Sequence, residues 1–224
     1  TKKHDYDIPL KPTTAVISAL ILTLTSCSGP RFTEGTIFDE PGQAPDFALI
    51  NQFGDPMELA DFRGKVTVLT FLYSSCTEIC PVVTSHMRNA YQLLGDDAEN
   101  VRLVAISVDP SRDSVEKAYE YSERWQMIDR WTFLVGEEAT LRPVWASYYI
   151  DPAVVVPYDT RNSSGLSEPP RGAVTTLTDS IANAHTVIHS APIYLIDREG
   201  LLRGLHTLPL DPKDLVKNIR SLLR

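Results

Sequence analysis

Apolar residues along this chain follow two rhythms, short unbroken runs and helical spacing, and the two alternate. Residues 65–73 read Lys-Val-Thr-Val-Leu-Thr-Phe-Leu-Tyr and residues 101–108 Val-Arg-Leu-Val-Ala-Ile-Ser-Val. Both runs are rich in β-branched or aromatic side chains and almost continuously apolar, which predicts strands buried on both faces. Between them, residues 81–94 contain no internal Gly or Pro and place Val82, Val83, His86, Met87, Ala90 and Leu94 at helical intervals, predicting a helix. Residues 111–125 predict a second helix, 131–135 a third strand and 139–150 a third helix. Two further runs, 193–196 and 201–205, are separated by Asp197-Arg198-Glu199-Gly200 and predict a hairpin, with 212–223 a closing helix. Alternating strands and helices that end in a hairpin and a helix imply an α/β domain over 43–224, a mixed central sheet flanked by helices.

Two stretches depart from this rhythm. Residues 151–184 hold Ser163-Ser164-Gly165, Glu168-Pro169-Pro170 and few large apolar side chains after Tyr158, so a long surface insertion is expected there. At the other end, Lys2, Lys3 and Lys11 precede a short apolar run from Ala15 to Leu24. A membrane-spanning helix needs roughly 20 apolar residues, and this run has the length of a signal-peptide core instead. It ends Leu24-Thr25-Ser26-Cys27, which resembles a bacterial lipobox. Residues 1–26 are therefore expected to be a lipoprotein signal peptide, Cys27 the lipidated first residue, and 27–42 a flexible linker. The domain would then sit on the extracytoplasmic face of a bacterial membrane, held by lipid, where disulfides are permitted.

Composition narrows the function. The 224 residues carry 21 basic and 29 acidic side chains, a net charge of −8, with 43% hydrophobic and 22% charged residues. This is ordinary globular usage with material for one core. The acidic balance, with no basic run beyond Lys2-Lys3, argues against nucleic acid. HExxH and GxSxG are absent, and no phosphate-loop glycine accompanies Gly64-Lys65, so neither a hydrolase nor a nucleotide is implied.

The three cysteines, Cys27, Cys76 and Cys80, are too few for a disulfide scaffold. Cys76 and Cys80 lie between the first long strand and its helix, in Tyr73-Ser74-Ser75-Cys76-Thr77-Glu78-Ile79-Cys80-Pro81. In a helical turn, i and i+4 share one face about 6 Å apart along the axis, near enough for reversible oxidation. Two thiolates on one face also make a soft bidentate site suited to Cu(I) or Zn, and a helix N-terminus favours the thiolate that either chemistry needs. Polar Ser74, Ser75, Thr77 and Glu78 point to a loop open to solvent rather than to two packed hydrophobes.

These residues carry a resemblance. The segment from Phe71 to Pro81, with its CxxxC followed by Pro, is similar to the Sco/SenC family, thioredoxin-fold copper chaperones for cytochrome c oxidase assembly. Three further blocks resemble the family: 44–65, the Ser107–Ser114 segment containing Asp109-Pro110-Ser111-Arg112-Asp113, and His189 to Gly200. The resemblance implies a thioredoxin-like fold and one copper ion, Cu(I) or Cu(II), held by Cys76, Cys80 and His189. It implies delivery of that copper to the binuclear site of cytochrome c oxidase subunit II, with another copper donor protein or a thiol reductant as further partners, and a monomer is expected. The second reading is a thiol–disulfide reductase acting on the subunit II cysteines, with Cys76 and Cys80 as its catalytic redox pair. The third is a peroxidase-like thiol protein. The chain departs from the family at Thr77, where Pro is usual, at Glu78, where Asp is common, and at Ile188, where Asp usually precedes the histidine. His185 is four residues from His189, but His189 alone holds the family position relative to Tyr194 and Asp197.

Other candidates have blander readings. His86 and Met87 are expected to be a solvent-facing His and a core Met, and His206 has no evident partner. Asp109, Arg112 and Asp113 are expected to form a turn, a helix cap and a salt bridge supporting the site loop.

Overall fold

The apolar run after Lys65 needs cover on both sides, and every residue of Val66–Leu72 is buried. The computed structural model describes residues 32, 34–155, 186–188 and 191–224. Its strands are β1 (Thr36–Ile37), β2 (Ala48–Ile50), β3 (Pro56–Glu58), β4 (Val66–Leu72), β5 (Val101–Ser107), β6 (Trp131–Leu134), β7 (Ala153–Val155), β8 (Thr186–Ile188), β9 (Ile193–Ile196) and β10 (Leu202–His206). Its helices are α1 (Ile79–Leu94), α2 (Val115–Arg124), α3 (Glu138–Ser147) and α4 (Pro212–Leu222).

Six strands form one mixed sheet in the order β1-β10-β9-β4-β5-β6. On one side of the sheet β4, β5 and β6 run parallel, and β9, β10 and β1 add antiparallel partners on the other. The parallel pairs are joined through α1 and α2, as parallel connections require. A small hairpin, β2 with β3, is tied to the end of β6 by an Ile50–Val135 bridge. Phe71, Tyr148 and Tyr194 meet ring to ring; the Tyr148 hydroxyl donates to the Pro45 carbonyl at 2.8 Å and the Tyr194 hydroxyl to the Tyr148 carbonyl. Trp145 of α3 donates from Nε1 to the Ser107 carbonyl at 2.9 Å, fastening that helix over the end of β5.

The mixed sheet, its flanking helices and the closing hairpin match the sequence pattern, with several boundaries displaced. The expected flexible linker, 27–42, is structured at its far end. Thr36–Ile37 pairs with β10, and the Asn218 side chain donates to the Glu34 carbonyl at 2.7 Å. Two residues are too few to show a strand period, so this edge was invisible in the pattern. The second helix begins at Val115, not Ser111, because the Arg112 and Asp113 amides turn back onto the Asp109 carbonyl and Ser114 caps the helix through its side chain. The third helix stops at Ser147, and Tyr149 adopts a positive φ of 56°. The insertion is bracketed by a pair of strands: β7 at its start runs antiparallel to β8 just beyond its end, Ala153 opposite Ile188. The rest of the insertion, 156–184, lies outside the described residues, as do 1–31 with the expected signal peptide and Cys27. Among the described residues no helix is long and apolar enough to cross a membrane.

Candidate metal centre

The site loop is the junction of β4 and α1. β4 ends at Leu72, and the chain crosses Tyr73–Glu78 before α1 begins at Ile79. Pro81 is the third residue of this helix; an N–H there has no intrahelical acceptor, so the ring costs no hydrogen bond. Glu78, at the N-cap position, makes no side-chain cap. The sulfur of Cys76 takes that part, accepting the Cys80 amide at 3.3 Å. The two cysteines therefore do not share a helical turn as the spacing suggests. Cys80 is in the first turn, and Cys76 folds over the helix end from the loop.

This fold-over also corrects the expectation of solvent-open thiols. Ser75, Thr77 and Glu78 are exposed, but Cys76 keeps 8% of its surface and Cys80 none. Cys80 sits on the buried face of α1 with Val83, Thr84 and Met87. Cys76 turns inward because the helix terminus supplies donors to its sulfur. Both are free thiols.

Their electrostatics are opposite. Cys76 is lowered from the ordinary thiol range to about 5, chiefly by a hydrogen bond from the Cys80 thiol, against the cost of burial, with help from the Cys80 and Glu78 amides and the Tyr73 hydroxyl. Cys80 is pushed far up, because it donates to Cys76, is buried, and faces the charges of Cys76 and Asp113. At neutral pH the pair is one thiolate and one thiol, with the thiolate at a helix N-terminus, where the backbone favours negative charge.

A second loop grips the first. Asp113, 6% exposed, accepts the Ser74 amide at 3.0 Å and the Ser74 hydroxyl on one carboxylate oxygen, and the Ser107 hydroxyl at 2.5 Å on the other. Burial pushes its carboxyl up, against those three donors. Asp109 pairs with Arg112 at 2.6 Å, and the Arg112 guanidinium lies 5.7 Å from the centre of the Tyr73 ring. The expected turn and salt bridge beneath the site loop are present, with Ser114 rather than an aspartate as the cap. Ser74 as a partner of Asp113 had no sequence signal, since nothing in periodicity links residues 39 positions apart.

His189 and His185 lie outside the described residues, and no group of three or more His, Cys, Asp or Glu suited to a metal forms among the described ones. The strand that follows His189 is described. β9 runs antiparallel to β4 with Ile193 opposite Thr70, and the Thr70 hydroxyl donates to the Pro192 carbonyl at 2.9 Å. The chain thus enters β9 at the end of the sheet where β4 runs out into the cysteine loop. Met87 is fully buried as expected, and His86 is half-buried with its Nδ1 unpartnered. His206 does have a partner: it is buried against Asn218, Nε2 to Nδ2 at 3.0 Å, and burial lowers its pKa.

A mixed sheet with a thiol pair where its central strand meets the next helix defines a thioredoxin-like thiol protein. Residues 39–165 match the SCO1/SenC family model, and the chain belongs to that family. A SCO1 protein homolog of Bacillus subtilis (strain 168) is 23% identical over 208 residues, 90% of this chain and 92% of the relative. The structure of Bradyrhizobium japonicum ScoI with copper bound superposes with a TM-score of 0.63 at 24% identity, covering 81% of this chain and 99% of that one. A structure of BsSco, a member of the Sco family of cytochrome c oxidase assembly proteins in which a disulfide switch was identified, gives 0.59 at 20% identity, covering 84% and 97%.

Proposed function

We propose that this protein is a membrane-anchored copper chaperone of the extracytoplasmic space, binding one copper ion through Cys76, Cys80 and His189 and delivering it to the binuclear site of cytochrome c oxidase subunit II. The observation that carries the reading is the seating of the Cys76 sulfur on the Cys80 amide, which brings two sulfur donors together at the end of α1. The donor chemistry fits: thiolates favour monovalent copper, and an imidazole accepts either oxidation state. Cys76 is already a thiolate at neutral pH, and Cys80 gives up its proton as copper binds. The start of β9 beside the end of β4 supports His189 as the third donor, since it is four residues before Ile193. The copper-bound ScoI structure, on the same fold, supports copper as the cargo. Lipidation at Cys27 supplies the anchor.

Anaerobic Cu(I) titration with X-ray absorption tests this on the chain from Ser28, for wild type, Cys76→Ser and His189→Ala. One equivalent with sulfur scattering in the wild type, lost in Cys76→Ser and weakened in His189→Ala, is expected. Equal affinity in all three overturns the three-donor site.

One observation favours a second reading, thiol–disulfide reduction of the subunit II cysteines. The thiolate at Cys76 and the protonated Cys80 are the attacking and resolving partners such exchange needs. In a reductase that needs no copper, His189→Ala keeps full exchange activity.

A further inference from the structure

The 109–113 turn holds the cysteine loop at two points, and the two grips differ in kind. Arg112 lies against the Tyr73 ring from a partly exposed position, its guanidinium held by Asp109. Asp113 is buried and reaches the loop by hydrogen bonds: Ser74 gives it both an amide and a hydroxyl, while Ser107 gives it the end of β5. Ser74 is two residues before Cys76. From there the path to the thiols is short. The Cys76 amide is held by the Tyr73 carbonyl at 3.3 Å, and the Cys76 sulfur by the Cys80 amide at 3.3 Å.

A carboxylate this buried is costly unless its oxygens are satisfied, and here Ser74 from the cysteine loop and Ser107 from the end of β5 supply the donors. The same carboxylate could have been supplied to a helix end: Ser114, the neighbouring residue, caps α2. Asp113 is instead turned away from its own helix and into the junction of β4 and β5.

We propose that Asp113 is a positioning residue for the thiol pair, its carboxylate clasping Ser74 to Ser107 so that Cys76 is held over the amino end of α1. This rests on the reading of Cys76 and Cys80 as the working pair, whether for copper or for exchange. With the clasp in place the Cys76 sulfur keeps its amide donors, which stabilise the reduced state. Without it the loop shifts, those donors are lost, and the disulfide becomes harder to reduce.

The experiment is a redox equilibrium with glutathione on the full chain in a Cys27→Ser background, where the pair holds the remaining two thiols of the three in the sequence. The Cys76 thiolate attacks glutathione disulfide and releases one glutathione. Cys80 then loses its proton, displaces the second glutathione and closes the Cys76–Cys80 bond, so two electrons pass to one glutathione disulfide. Amide hydrogen exchange over 74–80 is measured beside it. Asp113→Ala is expected to shift the equilibrium about tenfold toward the protein disulfide, about 30 mV for a two-electron couple, and to raise exchange in the loop about tenfold. Asp113→Asn, which keeps an acceptor for Ser74, is expected to stay within about threefold of wild type in both. Ser74→Ala, which removes one donor from the clasp, should fall between, and it carries the test alone if Asp113→Ala does not fold. An unshifted potential with unchanged loop exchange in Asp113→Ala or, failing that, in Ser74→Ala overturns the proposal. So does Asp113→Asn shifting as far as Asp113→Ala in the same direction, because charge and not the clasp would then be responsible. No copper enters these measurements, so failure of the copper reading leaves their outcome untouched.

Discussion

The backbone amide of Cys80 donates to the sulfur of Cys76, 3.3 Å away, so one cysteine of the pair caps the helix that begins beside the other. Helix ends are usually capped by Ser, Thr, Asp or Asn oxygens. A thiolate in that position ties the protonation state of one residue to the stability of a helix end, and the consequences can be measured.

The reduced protein should grow more stable as pH rises from about 5 to about 9. In that window Cys76 is a thiolate in the folded chain, lowered to about 5, and a thiol in the unfolded one, near 9.0. The unfolded state therefore binds the extra proton, and raising pH favours the fold. Cys80, pushed up, is protonated in both states through this window and contributes only above it, where stability falls because the unfolded chain alone loses that proton. Urea denaturation across the range checks both limbs. Cys76→Ser should flatten the rise, and oxidation to the disulfide should remove both limbs.

Copper uptake should release close to one proton per Cu(I) at neutral pH. Cys76 has none to lose, and Cys80 must give up the one it holds. Affinity then rises about tenfold per pH unit from neutral pH upward to about 9. Calorimetry in two buffers of different ionisation enthalpy counts the protons. A count near two would show that Cys76 is protonated in the free protein.

How far the sequence revealed this arrangement differs between elements. β4 and β5 were legible because burial on both faces writes an unbroken apolar run, and α1 because Val83, Met87, Ala90 and Leu94 fall on its buried face. The thiol pair was legible as a pair but not as a geometry. The i, i+4 rule presumes a helix through both residues, and the turn starts only at Ile79. The clasp was half legible: an aspartate after β5 suggested support for the loop, yet its partners at Ser74 and Ser107 come together only when β4 and β5 pair in register, Leu72 opposite Ser107. β1 was lost because its two residues have no period, and His206 seemed unpartnered because Asn218 reaches it from another element.

The Tyr194 hydroxyl, buried and donating to the Tyr148 carbonyl, joins β9 to the end of α3 just ahead of the insertion. Tyr194→Phe keeps the ring stack with Phe71 and Tyr148 but strands that carbonyl without its donor. A loss of about 1–3 kcal/mol is expected. Equilibrium denaturation gives the figure, and hydrogen exchange at 148–150 should rise with it if the bond holds that corner.

The edge strand β1 depends on a glycine. A Cβ at Gly204 would collide with the Thr36 carbonyl oxygen and come within 2.9 Å of the Phe32 ring. The backbone of β1 lies against that position because no side chain occupies it. Gly204→Ala must push β1 away, and the Thr36–Leu205 and Ile37–Gly204 pairing is lost with it. A destabilisation of about 1–3 kcal/mol follows from overpacking of this kind. The thiol site, on the other side of β9, should be untouched: the Cys76–Cys80 couple keeps its equilibrium with glutathione while amide exchange at 36–38 rises. A variant in which β1 stays protected would show that the strand is held mainly by the Asn218 bond to Glu34 and not by its fit against Gly204.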